Sequence, residues 1–127
     1  MTDKLFSKSF SSPDTEKNLE KTFSATVSLP GVSATKVVLQ PGWRWSECVK
    51  PHVGGDSCQA MHVGVVIQGS MTTVHDDGEE ITVNEGDAYI FAPGHDGWVN
   101  GDTPFIGYEI VTTDKNFGAW KLAEQQS

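Results

Sequence analysis

Residues Gly86-Asp87-Ala88-Tyr89-Ile90-Phe91-Ala92-Pro93-Gly94-His95-Asp96-Gly97-Trp98 decide how this chain is read. A Gly-Asp turn opens the stretch. A short run of strand formers follows, and a Pro-Gly break then holds up a histidine. A strand that ends by presenting an imidazole on a rigid turn suits a site at the mouth of a barrel.

Outward from that stretch the same punctuation recurs. Phe23, Ala25, Val27 and Leu29 alternate with Ser24, Thr26 and Ser28. That is the period-two pattern of a half-buried strand, and Pro30-Gly31 closes it. A second strand is predicted over residues 34–40, ended by Pro41-Gly42. Residues 43–48 alternate again. This places Trp43 and Trp45 on one face, expected outside, and Arg44, Ser46 and Cys48 on the other, expected inside. Residues 49–55, with Pro51, Gly54 and Gly55, read as a loop. Strand character returns over 57–68, where His62, Gly64, Val66 and Gln68 face one way and Val63, Val65 and Ile67 the other. Residues 71–75 lead into the hairpin signal Asp76-Asp77-Gly78, and Ile81 and Val83 alternate out of it. Downstream, Trp98 and Val99 precede the turn Asn100-Gly101-Asp102, and residues 105–111 form the last strand. About eight to ten short strands with turns every 8–12 residues predict an all-β antiparallel sandwich or barrel. No helical segment is long enough for a crossover between parallel strands.

Composition narrows the function. The 127 residues suffice for one domain, and 13 glycines with 6 prolines fit a turn-rich β fold. A net charge of -8 argues against nucleic acid and anionic membranes as partners. No apolar run approaches a membrane span, and Met1-Thr2-Asp3-Lys4 does not open a signal peptide. Two cysteines, Cys48 and Cys58, make no disulfide framework; free thiols in a cytoplasm are expected. Residues 1–22 are predicted to be a polar, partly ordered arm, 23–112 the β domain, and 113–127 a tail. In the tail, Phe117 and Trp120 suggest a short helix packed outside.

The spacing of Pro41-Gly42, Gly69, Asp77-Gly78, Gly86-Asp87 and Pro93-Gly94 resembles that of small single-domain cupins. Pro41-Gly42-Trp43-Arg44-Trp45-Ser46-Glu47 together with residues 93–102 looks like a bacterial cupin-domain subgroup. The resemblance covers about residues 34–111. It implies a double-stranded β-helix, or jelly-roll, barrel that commonly pairs as a homodimer and often holds a divalent metal through three histidines and a glutamate. Counting along the family's pattern from Gly42 puts its His-x-His on Cys48-Val49-Lys50. Its glutamate falls on His62 and its last histidine on Gly97, two residues after His95. None of the usual positions carries the usual ligand. The resemblance instead points to His62, His95, Cys48 and His52 as candidate metal ligands. Zinc is favoured if a thiolate joins two imidazoles, with iron, nickel and manganese left open.

Arg44, Ser46, Gln68, Glu109 and Trp98 are the candidate ligand-pocket residues. Arg44 on an inward face needs an anionic partner, either Glu109 or a substrate carboxylate. Cys58 reads as core and His75 as surface. Bare outward tryptophans would form an apolar patch, so the N-terminal arm or a second subunit is expected over Trp43 and Trp45. No phosphate loop, nucleophile elbow or paired-carboxylate motif is present, so no nucleotide cofactor is expected. Two functions fit. One is metal-assisted chemistry on a small polar or organic-acid substrate; the other is a metal-free ligand-binding or sensing module. His62 and His95 share an ion only if ring nitrogens of the two lie within about 5 Å.

Overall fold

The computed structural model describes residues 5–112, so the tail helix expected at 113–127, with Phe117 and Trp120, lies outside the described residues. Nine strands run in chain order: β1 (Thr15–Leu19), β2 (Thr22–Leu29), β3 (Val32–Leu39), β4 (His62–Gln68), β5 (Ser70–His75), β6 (Glu80–Asn84), β7 (Ala88–Phe91), β8 (His95–Asn100) and β9 (Phe105–Thr112). Two short helices, α1 (Trp45–Cys48) and α2 (Lys50–Val53), lie between β3 and β4. All pairings between these strands are antiparallel. Six strands form one sheet in the order β1-β2-β3-β9-β4-β7, and three form the other in the order β6-β5-β8. This is the antiparallel all-β architecture that the alternating pattern predicts, in the jelly-roll form that the resemblance implies.

The alternation decides what fills the barrel. Val37, Leu39, Val66, Met71, Val83, Tyr89, Phe91, Val99 and Phe105 point inward from seven strands and pack in one core. Each large apolar side chain taken fully out of water contributes roughly 1.5–3 kcal/mol. On β4 the expected faces hold. His62, Gly64 and Val66 are buried, whereas Val65 and Ile67 are 44% and 47% exposed. Strand pairing starts inside the segment read as an arm. There β1 is extended and pairs with β2, from Thr15 opposite Thr26 to Leu19 opposite Thr22.

The largest departure from the expected pattern is at residues 43–53. The alternating run is not a strand. Arg44 is extended and bridges to Trp98, and the chain then winds into α1. A residue of β8 favours this: Asp96 Oδ1 accepts from the Ser46 amide at 3.2 Å and from the Gly97 amide at 2.7 Å. The first turn of a helix has such amides to spare. A helical period puts Trp45, Cys48 and Val49 on the same side, and all three are buried. Trp43 is buried too, and its Nε1–H donates to Thr22 Oγ1 at 2.8 Å. The two tryptophans expected outside therefore belong to the core. Arg44, expected inside, is half-exposed over the Trp98 ring, 4.3 Å from its centroid, with Asp96 at 3.7 Å. The loop expected at 49–55 contains α2, with Pro51 in its first turn, where a missing N–H costs nothing.

Candidate functional site

The inner face of the barrel brings together groups from four separate parts of the chain. His62 opens β4, His95 opens β8, Glu109 comes from β9, and Cys58 precedes β4. Cys58 is held by a backbone bridge to His95. The Cys58 amide donates to the His95 carbonyl at 2.7 Å. The Cys58 carbonyl accepts from the Gly94 amide at 2.6 Å and the His95 amide at 3.2 Å. Gly94 makes this clamp with φ of +95°, a conformation that L side chains rarely adopt. A Cβ there would also meet Asp76 Oδ2 at 3.0 Å. Asp76 holds the same loop by accepting from Ser57 Oγ at 2.8 Å.

Cys58, His62 and His95 are buried and offer one ligand atom each, all within 4.8 Å of one another. The two imidazole rings are edge-on, with centroids 5.4 Å apart. Cys58 Sγ lies 3.7 Å from His62 Nε2. His62 Nδ1–H donates to Glu109 Oε1 at 2.9 Å, and Tyr89 O–H donates to Glu109 Oε2 at 2.8 Å. His95 Nδ1 lies 2.6 Å from the Ala92 carbonyl, which only accepts, so Nδ1 carries the proton there. Both rings are thus anchored through Nδ1, and Nε2 of His62 faces Cys58 Sγ.

The electrostatics of the trio follow from burial opposed by charge. Burial alone pushes the Cys58 thiol up, but hydrogen bonds from His62 and His95 and the positive charge beside it outweigh this and bring it down to about 6. Burial alone would push His62 down. The Glu109 charge, helped by Cys58, reverses the shift and raises it to about 10. Burial also works against the Glu109 charge, yet the His62 charge and hydrogen bond and the Tyr89 hydroxyl hold its carboxyl below the usual range. Burial and the Glu109 charge hold the Tyr89 phenol in its protonated form well above its ordinary value. Each of these shifts favours the charged form of its group, at Cys58, at His62 and at Glu109.

A tetrahedral ion with bonds of about 2.0–2.3 Å needs ligand atoms roughly 3.3–3.8 Å apart. The Cys58–His62 pair already meets this, and the widest pair needs a shift of about 1 Å at most. The donor set fits zinc: one thiolate, two imidazoles, a fourth position unassigned, and a carboxylate that orients an imidazole from behind. A small cavity adjoins the trio. Its wall includes His62, His95, Glu109, Tyr89, Thr73 and Gly97, and the rest is apolar or tryptophan. The space open to the centre of a water molecule is about 20 Å³, room for one or two waters.

Of the residues expected in the site, His62, His95 and Glu109 converge. The others lie elsewhere. Cys48 is buried in α1 among core side chains, because the helix turned it toward Trp45. His52 is exposed on α2. Arg44, Ser46 and Trp98 sit outside the cavity around Asp96. Gln68 donates to the Pro104 carbonyl at 3.1 Å. Glu109 pairs with His62 and not with Arg44, because β9 places it on the inner face opposite Gly64. Cys58 is packed in the core, as read, and is also the thiol of the trio. Counting from Gly42 lands in the helical insertion and so misses it. Parity would have found it, since the inward set Val66, Gly64 and His62 extends back to residue 58. Likewise, His95 and Gly97 are two residues apart on one strand and share a face. Tyr89 was also missed, and it shares the inward parity of Phe91.

No family model matches the chain, and no curated protein matches it. Solved structures do. Oxalate decarboxylase from Lactobacillus farciminis, determined with formate, is 17% identical with a TM-score of 0.57; the match covers 87% of this chain but only 34% of that one. A cupin-like protein from Thermotoga maritima is 14% identical with a TM-score of 0.52, covering 83% and 79% of the two chains. A cupin-superfamily sugar phosphate isomerase from Silicibacter pomeroyi is 23% identical with a TM-score of 0.52, covering 73% and 60%. The chain thus spans about a third of the length of the decarboxylase. Likeness at these identities establishes the fold.

Proposed function

On the premise that this chain is a cupin-fold barrel, we propose that it holds a divalent metal through Cys58, His62 and His95 and acts on a small polar or organic-acid substrate. The observation that carries this is the buried trio with both imidazoles anchored through Nδ1. Such anchoring sets the tautomer that a metal requires. Zinc suits the donor set best. A bound ion of this kind supplies Lewis acidity or an activated water. Glu109 orients His62 and balances its charge, and Tyr89 holds Glu109 in place. Among the neighbours' substrates, an organic acid suits the cavity better than a sugar phosphate. Among the described residues no lysine or arginine lines the wall, and phosphate recognition ordinarily uses them.

A metal-free binding barrel is the competing reading. The observation favouring it is that the groups already meet one another, Cys58 Sγ at 3.7 Å from His62 Nε2 and His62 Nδ1 at 2.9 Å from Glu109 Oε1. Elemental analysis of untagged protein separates the two. Equimolar metal is expected in the parent and less than about a tenth of it in Cys58→Ser and His62→Ala. Cys48→Ser and His52→Asn are expected to keep it. Sub-stoichiometric metal that is the same in all five proteins overturns the metal reading. Uptake is also expected to weaken at acid pH, because the ligands must be deprotonated.

A homodimer in a cytoplasm completes the proposal. Two reduced cysteines support the compartment, and no helix among the described residues is long and apolar enough to cross a membrane. The buried Trp43 and Trp45 cannot carry the pairing expected of them. Val65, Ile67, Ile90 and Ile110, exposed on the outer face of β4, β7 and β9, support it instead. Ile90, 59% exposed on the edge strand β7, is the residue to alter. Ile90→Lys is expected to halve the mass in solution measured by sedimentation, with far-UV circular dichroism unchanged. A parent that already sediments as a monomer contradicts the assembly.

A further inference from the structure

Two buried polar atoms on residues that line the cavity lack a hydrogen-bond partner among the described residues: Trp45 Nε1 and Thr73 Oγ1. Their residues are 1% and 6% exposed, and both line the cavity that His62 and His95 also line. Trp45 belongs to α1 and Thr73 to the centre of β5. Buried polar groups nearly always have partners, so two unsatisfied ones in one small cavity call for an occupant that supplies them. By contrast, the indole N–H of Trp43, in the same wall, is already taken by Thr22 Oγ1.

We infer that Trp45 Nε1–H and the Thr73 hydroxyl are the recognition pair for an oxygen acceptor on a short apolar molecule, a carboxylate or carbonyl oxygen. The indole N–H only donates, so whatever meets it must accept; a hydroxyl can donate to the same group. The apolar part of the wall, away from His62, His95, Tyr89 and Glu109, sets the body of the ligand. Val37, Leu39, Met71, Phe91 and Phe105 offer no polar atom to a longer or more hydroxylated molecule. The size follows as well: about 20 Å³ open to water centres admits a ligand of a few heavy atoms. Gly97 opposes Thr73 across β5 and β8 and keeps this room clear. A Cβ on it would come within 3.2 Å of Thr73 Oγ1 and 3.1 Å of Met71 Cε. The assignment moves carboxylate recognition from Arg44, which lies outside the cavity, to a neutral donor pair.

This inference rests on the proposed metal site for its chemistry but not for its test. Acetate and acetamide are titrated into metal-free protein labelled with ¹⁵N, and the indole N–H resonances are followed. The Trp45 resonance, assigned by its loss in Trp45→Phe, is expected to move downfield on saturation. Those of Trp43 and Trp98 are expected to stay within line width. Thr73→Val keeps the shape of the side chain and is expected to weaken acetate about tenfold, read from the Gly97 backbone amide. Trp45→Phe should weaken it by a similar factor. If Trp45→Phe fails to fold, Thr73→Val decides alone. Stronger binding of acetate than of acetamide identifies a carboxylate ligand, and equal binding a carbonyl one. No movement of the Trp45 resonance with either probe at 100-fold excess overturns the inference, as does unchanged acetate affinity in Thr73→Val. Cobalt titration followed by its thiolate charge-transfer band runs alongside. Intact cobalt binding with a silent Trp45 refutes the recognition pair alone; absent cobalt binding with a responsive Trp45 refutes the metal centre alone.

Discussion

Glu109→Gln is expected to destabilise the metal-free protein by about 3 kcal/mol while barely changing its shape. The substitution keeps the size of the side chain and removes its charge. It strikes a pair whose two side chains are each about 5% exposed or less. Breaking a buried ion pair from one side costs roughly 3–5 kcal/mol, because the remaining charge has no water to turn to. His62 then loses the charge that raises it, and Cys58 loses the imidazolium that lowers it. The thiolate absorbance titration is therefore expected to move from about 6 toward the ordinary thiol range. Metal affinity is expected to fall about 10- to 100-fold, the usual effect of losing the carboxylate behind a ligand histidine. Stability within 0.5 kcal/mol of the parent in urea, with an unmoved thiol titration, contradicts this account.

The pH profile of the metal-free parent carries the same signature. Glu109 has a lowered folded value, so its contribution is complete above the unfolded value of 4.5 and is lost as pH falls through the folded one. His62 is raised from 6.5 to about 10, so its contribution is complete below 6.5 and is lost as pH rises through about 10. Cys58 is lowered from 9.0 to about 6, so its contribution is complete above 9.0 and is lost as pH falls through about 6. The His62 and Cys58 slopes oppose each other between pH 6.5 and 9. The parent is therefore expected to show a plateau there, with falling stability below pH 4.5 and above pH 9. Glu109→Gln is expected to flatten the acid limb, which denaturation at stepped pH measures directly.

Gly64→Ala is the second large effect. Gly64 lies in β4 beside β9 and β7, without the positive φ that would itself strain an alanine. The cost is one of space alone. A Cβ would stand 2.5 Å from the Tyr108 carbonyl oxygen, 2.9 Å from Glu109 Cγ and 2.9 Å from the Tyr89 hydroxyl. The first of these is backbone of a paired strand and cannot rotate away. Overpacking of this kind costs about 1–3 kcal/mol or more. The upper end is expected because three neighbours must move together. Two of those neighbours set the His62 orientation, so metal affinity should fall with stability. A loss under about 0.5 kcal/mol in urea, with metal binding intact, means the barrel relaxes around the added methyl.

Period two along 62–66 and the Pro and Gly breaks are local properties, and the barrel could be read from them. Each strand hides one face, and each break ends a strand wherever it sits in the fold. His62 was legible as a polar group on the inward face of β4, whereas Glu109 was singled out only as a partner for Arg44 and instead meets His62. Residues 43–48 were not legible, since alternation and a helical turn place Trp43, Trp45 and Cys48 differently while sharing the same six letters. What favours the helix comes from elsewhere in the fold: Asp96 of β8, 50 residues away, accepts from the Ser46 amide, and Trp45, Cys48 and Val49 are buried together.

The chain by itself therefore determined the class of fold, the inward parity of His62 and the presence of a presented His95. Tertiary structure alone decided which thiol joins them, and that Glu109 answers His62 and not Arg44. Parity tells which face a side chain takes, a matter of one strand. Partnership depends on which strands close the barrel and how an insertion shifts the count. The Cys58–His95 bridge and the β9–β4 register settle both.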